Sequence, residues 1–427
     1  MLKIGILGLG TVGSGVVKIM QQNSVNIHNK VGTDLKIEKI LVNNINKERI
    51  VDIEPGVLTE NESDILDNPA IDIVVELIGG EEPAYKYIMR AIENGKHIVT
   101  ANKLVIAKHG KEIFKKAEEK NVQVSYEASV AGGLPIIRPL QNSLAANRIE
   151  KIYGILNGTT NYILTKMSED NQSFEEALLK AQEMGYAESD PTSDVDGYDA
   201  AYKITILSSL AYQRFVDVEN VYVEGIRNIA IDDIKFAKEM GYVIKLLAIA
   251  KNSDEGLDIR VHPAFVPENH TLAMINNTYN CVYLHGDAVG EVMSSAEGAG
   301  QMPTGSAVVA DIIYISKNIN YNKQEYPKID SCQKNNIIDT KEIESSFYIR
   351  LSVFDKPGVM AKIAKIFGDN NVSLASVLQK ERLNPVVPLV LITHSVKEKY
   401  LYKSISEIKE LEDVNDINSV IRVEKHI

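Results

Sequence analysis

The sequence predicts three folded parts in series: an α/β Rossmann-type nucleotide-binding domain, an α+β substrate and dimerisation domain, and a ferredoxin-like module at the C-terminal end. Three features predict this. A short apolar strand at 3–7 runs directly into Gly8-Leu9-Gly10-Thr11-Val12-Gly13 and then into the helical VVKIMQQ. Further apolar runs at 37–42, 72–78, 96–100 and 122–125 are separated by helical lengths of chain, the rhythm of a parallel sheet. Beyond residue 346 the order of patterns is β-α-β-β-α-β, the split ferredoxin-like arrangement. The boundaries expected are 1–134, completed by a returning helix over 303–318, then 135–302, a polar linker over 319–345, and 346–427. A chain of 427 residues holds apolar material for such cores.

Charge limits the partners. With 46 Lys and Arg against 58 Asp and Glu, the net charge is -12, and no basic run exceeds a pair. Nucleic-acid binding is excluded on that balance. No apolar run is long enough for a bilayer span, and the N-terminal run is broken by glycines, so it reads as a strand and not a signal peptide. A cytoplasmic protein is expected. Cys281 and Cys332 are too few for a disulfide framework, and neither has a ligand-like neighbour for zinc.

In the first domain, strand before and helix after give the glycine motif its meaning. Gly8, Gly10 and Gly13 allow a tight turn and close approach to a dinucleotide pyrophosphate, which the helix N-terminus stabilises. The second strand ends at Asn43 and Asn44, where an acid would select NAD and an arginine NADP. Lys47 and Arg49 just beyond tilt the reading to NADP, with NAD left open. The run 96–100 leads into Ala101-Asn102-Lys103, which places Lys103 at the carboxyl end of a strand, where ligands of open α/β sheets sit. A solvent-facing loop lysine is the alternative. The small-residue stretch from Glu127 to Pro135 is either a monovalent-cation site of exposed carbonyls or the plain crossover into the second domain.

In the second domain, Asn157-Gly158-Thr159-Thr160-Asn161-Tyr162 reads as a polar turn entering a helix, and 174–184 as an amphipathic helix. Segments 261–263, 282–285 and 291–293 read as strands, 298–303 as a loop and 306–315 as a helix. The densest chemistry lies at 185–203, GYAESDPTSDVDGYDAAYK, with Glu188, Asp190, Asp194, Asp196 and Asp199 ahead of Lys203. The pattern AAYKITILSSLAY is helical, so Asp199 and Lys203 share one helix face, four residues apart. An EF-hand alignment puts Lys203 where the bidentate glutamate must stand, and fails. Two readings remain: a surface ion pair behind an acidic loop, or a polar substrate site with a lysine proton donor.

Taken together, Gly8 to Gly13, Thr100-Ala-Asn-Lys103, Asn157 to Tyr162, Gly185-Tyr-Ala-Glu188, Asp190-Pro-Thr192 and Asp199-Ala-Ala-Tyr-Lys203 resemble the homoserine dehydrogenase family over essentially the whole chain. Asp355-Lys-Pro-Gly-Val359 and Asn370-Asn-Val-Ser373 resemble an ACT domain, a small amino-acid-binding regulatory module. The resemblance implies reversible NAD(P)H-dependent reduction of aspartate 4-semialdehyde to homoserine, on the route to threonine, methionine and isoleucine. It implies that Gly8, Gly10, Thr11, Val12, Gly13, Asn43, Thr100, Lys103, Gly185 and Gly300 face the cofactor. Glu188, Asp199, Gly158 and Thr159 would hold the substrate, and Lys203, with Lys103 and Asp199, would carry the catalysis. Glu127, Val130, Gly132 and Leu134 occupy the family's sodium site, the last three through carbonyls. Family members often carry arginine where Asn43 stands, which weakens the NADP expectation.

A hydride acceptor of this kind develops negative charge on oxygen, and an ammonium at Lys203 can stabilise and protonate it. For the C-terminal module the expectation is feedback by an end product, most simply threonine, near Gly358 and Asn371 of a homodimer or homotetramer. Two rivals stand. One is a catalytically silent amino-acid sensor, which has no need of the lysine. The other is another Rossmann semialdehyde oxidoreductase, which needs a nucleophilic cysteine.

Overall fold

The computed structural model describes residues 1–321, 336–379, 385–425 and 427. In chain order the strands are β1 Leu2–Leu7, β2 Leu35–Leu41, β3 Leu58–Thr59, β4 Ile73–Glu76, β5 His97–Thr100, β6 Val124–Ser125, β7 Ile149–Ile155, β8 Tyr222–Val223 and β9 Tyr242–Ser253. They continue as β10 Gly256–Pro267, β11 Tyr279–Gly286, β12 Gly290–Glu297, β13 Glu344–Phe354, β14 Leu374–Gln379, β15 Val386–Thr393, β16 Val396–Lys397 and β17 Val414–Val423. By contact density the chain forms two compact units. The first takes Met1–Ile152, Ala201–Asn220 and the segment from Tyr279 to the end of the described stretch at 321; the second takes Tyr153–Ala200, Val221–Thr278 and the part after 335. These units cut across the segment boundaries expected from the sequence.

In the first unit, β3-β2-β1-β4-β5-β6 form one sheet, parallel at every pairing. The central strands are the most buried, β4 throughout and β1 from Ile4 on, while β2 is interrupted by Lys36, Glu38 and Lys39. The order reverses between β1 and β4, the point at which such sheets bind ligands. The returning helix is present as Gln301–Asn320. Its Val308, Ile312 and Ile315 are buried against Ile4, Ile6 and Val16. Each such side chain contributes about 1.5–3 kcal/mol by burial. Two close approaches require glycine there: a Cβ on Gly15 would lie 2.1 Å from the Gln301 carbonyl, and one on Gly305 3.0 Å from Gly15.

Several boundaries differ from expectation. The stretch 298–303 is not wholly loop, because the helix starts at Gln301, and Pro303 in a first turn costs no hydrogen bond. Strand β4 stops at Glu76, where the acid's own side chain takes the amides of Ile78 and Gly79. The linker expected over 319–345 lies mostly outside the described residues; Ile319 and Asn320 end the helix, and Glu344 begins β13. The last strand starts at Val414, not 420.

In the second unit, β9 and β10 form a long antiparallel hairpin from Tyr242↔Pro267 to Ser253↔Gly256. The C-terminal module has the expected β-α-β-β-α-β order, with strands arranged β17-β13-β15-β14. Phe347, Ile349, Ile363, Phe367, Leu391 and Leu401 lie in its core. The module is joined to the hairpin by parallel pairing of Ala264 with Arg422 and Phe265 with Val423. Two buried ion clusters fasten it. Arg350 in β13 donates to both oxygens of Asp233, at 2.7 and 3.1 Å. Arg422 and Arg260 both donate to Glu398, at 2.7–3.1 Å.

Candidate active site

At the end of β1, Gly8 has φ +103°, and a Cβ there would meet the Leu77 carbonyl at 2.9 Å. A Cβ on Gly13 would lie 2.4 Å from the Gly8 carbonyl. Gly10 stands as N-cap with open space where its Cβ would be, and Thr11 and Val12 open the helix Thr11–Gln22. This turn can admit a pyrophosphate against backbone amides. After β2, Asn43 and Lys47 are exposed, and Arg49 turns back on its own loop. Its guanidinium donates to the carbonyls of Asn44, Ile45 and Lys47 at 2.5–2.9 Å. The Arg49 fork is thus spent on holding the loop.

Thr100 is fully buried at the end of β5, and Lys103, half-buried, opens the helix Lys103–Lys120. Asn102 caps that helix through its side chain, accepting from the Val105 amide at 3.2 Å. Gly300, at φ +121°, is the N-cap of the returning helix. The buried Glu127 carboxylate accepts from the amides of Ile136, Ile137 and Arg138 at 2.5, 2.7 and 3.0 Å, and from the Arg138 guanidinium at 3.0 Å. Its side-chain oxygens are therefore occupied by donors. Ala131 and Gly132 both take positive φ, 55° and 54°, in the turn from Val130 to Leu134. A Cβ on Gly132 would lie 2.4 Å from the Gly298 carbonyl. Among the described residues no group of three or more His, Cys, Asp or Glu side chains could hold a metal. A cation here has main-chain oxygens to use, and these suit a monovalent ion better than a transition metal.

The second unit sorts the five acids of 188–199. Asn157, buried at the end of β7, donates from Nδ2 to Asp194 at 2.7 Å and to Asp199 at 2.8 Å. Its Oδ1 accepts from the Thr160 amide at 2.8 Å and so caps the helix Gly158–Glu169. Asp196 pairs instead with Arg227 at 2.5 Å. Asp190 folds onto Thr192, which holds its carboxyl below the usual range. Glu188 is exposed, beyond Gly185 at φ +74°. Asp199 and Lys203 lie on the helix Tyr198–Ala211 and are 3% and 8% exposed. That burial removes the reading of a surface ion pair. Thr159 donates to the Tyr186 carbonyl at 2.6 Å, and Gly158 leaves no room for a side chain, since its Cβ would meet the Thr278 carbonyl at 2.8 Å.

One group was invisible in the sequence. Lys245 in β9 is 3% exposed, and its ammonium donates to Asn161 Oδ1 at 3.1 Å, the Ile275 carbonyl at 2.5 Å and Asn276 Oδ1 at 2.9 Å. Burial lowers its pKa to about 8. It ties the helix carrying Asn157 to the segment beneath Gly158. No motif marks it; a lysine inside an otherwise apolar strand was the available signal. In the C-terminal module, Gly358 (φ +91°) and Asn371 (φ +59°) are exposed at opposite ends of the helix Val359–Asp369. At 1.5 Å per residue they stand roughly 16–20 Å apart, too far for one amino acid to touch both in one module. Cys281 is buried, and burial pushes its thiol up to about 12, the reverse of a nucleophile; Cys332 lies outside the described residues.

A switch-point nucleotide sheet, a helix bearing the buried Asp199 and Lys203, and a ferredoxin-like module point to a dinucleotide-dependent oxidoreductase with a regulatory appendage. Comparison with known proteins makes this particular. Residues 8–127 match the family profile "Homoserine dehydrogenase, NAD binding domain", residues 135–313 match "Homoserine dehydrogenase", and 347–413 match "ACT domain". The homoserine dehydrogenase of Synechocystis sp. is 45% identical over 432 residues, covering 99% of both chains. Among solved structures, a homoserine dehydrogenase from Thiobacillus denitrificans is 41% identical with a TM-score of 0.94, covering 99% of this chain and 98% of that one. A hyperthermophilic archaeal homoserine dehydrogenase, solved in complex with NADPH, is 25% identical with a TM-score of 0.63 over 76% of this chain and 99% of that one. The chain belongs to the homoserine dehydrogenase family, and is an oxidoreductase with an NAD-binding domain and an ACT domain.

Proposed function

We propose that Lys203 is the proton donor to the carbonyl oxygen of aspartate 4-semialdehyde, with Asp199 holding its ammonium on the shared helix face. The bound reduced nicotinamide supplies the hydride. The observation that carries this reading is the Asn157 clamp. It fixes Asp194 and Asp199 from one neutral amide, at the start of the helix that bears Lys203. An ammonium positioned before the reaction stabilises the developing oxyanion without reorganisation. Asp199 and Glu188 would meet the substrate's polar groups, Glu188 from its exposed position, and Lys103 would face cofactor and substrate from the head of its helix.

The cofactor is read as NADP or NAD, with NADP supported by the exposed Lys47 and by the NADPH bound to the archaeal relative. The spent Arg49 fork and Asn43 favour use of both. A sodium-class cation would rest on carbonyls of the 127–134 turn, with the Glu127 carboxylate bracing the turn from behind. Threonine is the proposed effector. Because Gly358 and Asn371 lie at opposite ends of one helix, its site would need two ACT modules, one lending each end, which fits a homodimer or homotetramer. Among the described residues no helix is long and apolar enough to cross a membrane, and a cytoplasmic location is proposed. Homoserine oxidation with NAD and NADP, with and without threonine, tests the reading. Threonine binding without turnover would favour the sensor.

A further inference from the structure

Glu76 ends β4 with its side chain fully buried. Its Oε1 accepts from the amides of Ile78 at 2.8 Å and Gly79 at 3.2 Å, and its Oε2 accepts from the Thr100 hydroxyl at 2.7 Å. Thr100 Oγ1 accepts from the Asn102 amide at 3.0 Å, and Asn102 Nδ2 donates to the Gly80 carbonyl at 2.7 Å. These bonds close a ring that joins the carboxyl ends of β4 and β5 immediately before Lys103. Three donors face one carboxyl group, the arrangement of an ionised carboxylate, and all three are neutral. A buried carboxyl group needs such donors to replace the water it has lost, and these hold it in one place.

Its place suggests the use. The sheet order reverses between β1 and β4, so a dinucleotide lies across their carboxyl ends, with one half beyond β1 and β2 and the other on the β4 side. The segment after Glu76 borders the pyrophosphate turn, since Leu77 fills the space a Cβ on Gly8 would take. We propose that Glu76 is a positioning residue whose buried charge biases the bound cofactor towards its oxidised form. The oxidised nicotinamide ring is cationic and the reduced ring is neutral, so a fixed carboxylate on that side attracts only the first. Holding the 77–80 segment and the Lys103 helix cap together, the hydrogen-bonded ring keeps that charge in place. This rests on the nicotinamide reading of the first domain.

The test is the ratio of two dissociation constants, measured by fluorescence titration with NADPH and by its displacement with NADP⁺. Glu76→Gln keeps the shape and removes the charge. It is expected to weaken NADP⁺ on the order of tenfold, the size of one screened charge–charge interaction, and to leave NADPH within about twofold. Parallel loss of both forms, or no change in either, overturns the proposal. Thr100→Val keeps the charge and breaks the ring, so both affinities should fall with the ratio preserved. A shift of that ratio as large as tenfold also overturns it, whether or not Glu76→Gln folds. If the wild-type protein binds neither NADP(H) nor NAD(H), the nucleotide reading fails and takes the proposal with it.

Discussion

Two buried polar clusters of the second unit are built on opposite hubs. One is centred on Asn157, a neutral amide that donates to Asp194 and Asp199. The other is centred on Glu398, an acid that accepts from Arg260, Arg422 and Ser345. A charged hub consumes the charge of its partners. Arg422 is held well above its ordinary pKa against burial by that hydrogen bonding, and Asp258 and Glu424 stand 3.0 and 3.7 Å from the Arg260 guanidinium. A neutral hub fixes where two carboxylates stand and brings no charge of its own. The charged hub builds a joint between hairpin and module; the neutral hub positions the acids of the proposed site.

The largest effect expected is at the site. Lys203→Met should fold normally and lose about a thousandfold in kcat, the scale of a general-acid contribution, read by steady-state homoserine oxidation with circular dichroism as the folding control. At the joint, Glu398→Gln removes the acid beneath two buried arginines. It should lower stability by about 3–5 kcal/mol in denaturant titration, a fall that Lys203→Met should not share. This variant probes the joint better than cutting the module away, because removal would strip the β17 partner from β10.

Lys245 sits between the two cases, a cation met by neutral oxygens. Its folded pKa of about 8 lies below the ordinary 10.5, so between those values the unfolded chain holds the proton and the folded chain does not. Unfolding free energy should therefore rise with pH across that window, by up to about 3 kcal/mol from this group. Below pH 8 both states carry the proton, and the burial penalty is present in full. The difference in stability between wild type and Lys245→Met, followed from pH 7 to pH 10.5, isolates the term. A flat difference would contradict it. The smallest effect is expected at the neutral hub. Asn157→Ala should raise the KM for homoserine by about tenfold as Asp199 loses its register, with far less effect on stability than at Glu398.

The nucleotide half was legible because its constraints are local. Gly8 and Gly13 face backbone atoms within five residues or across one strand, and only glycine fits. The C-terminal module was legible from the order of its patterns. The β9–β10 hairpin was not, beyond residues 261–263: nearly every residue of β10 is buried, so no alternation betrays the strand, and Arg260 and His262 lie within it. The acids at 188–199 looked equivalent in sequence. Their separation depends on Asn157 and Arg227, each some thirty to forty residues away. Glu76 read as the middle of an apolar run, and its role rests on Thr100, which folding brings beside it.

The central claim is that the helix bearing Asp199 and Lys203 delivers the proton. The kcat of homoserine oxidation by wild type, Lys203→Met and Lys203→Arg, at saturating cofactor and homoserine, tests it most directly. The account predicts turnover in the wild type with NADP or NAD, loss of about a thousandfold in Lys203→Met, and no more than slight recovery in Lys203→Arg, whose permanently protonated guanidinium keeps the charge but can neither take up the hydroxyl proton in oxidation nor give one in reduction. A Lys203→Met kcat near that of the wild type would contradict it and move the proton donor elsewhere.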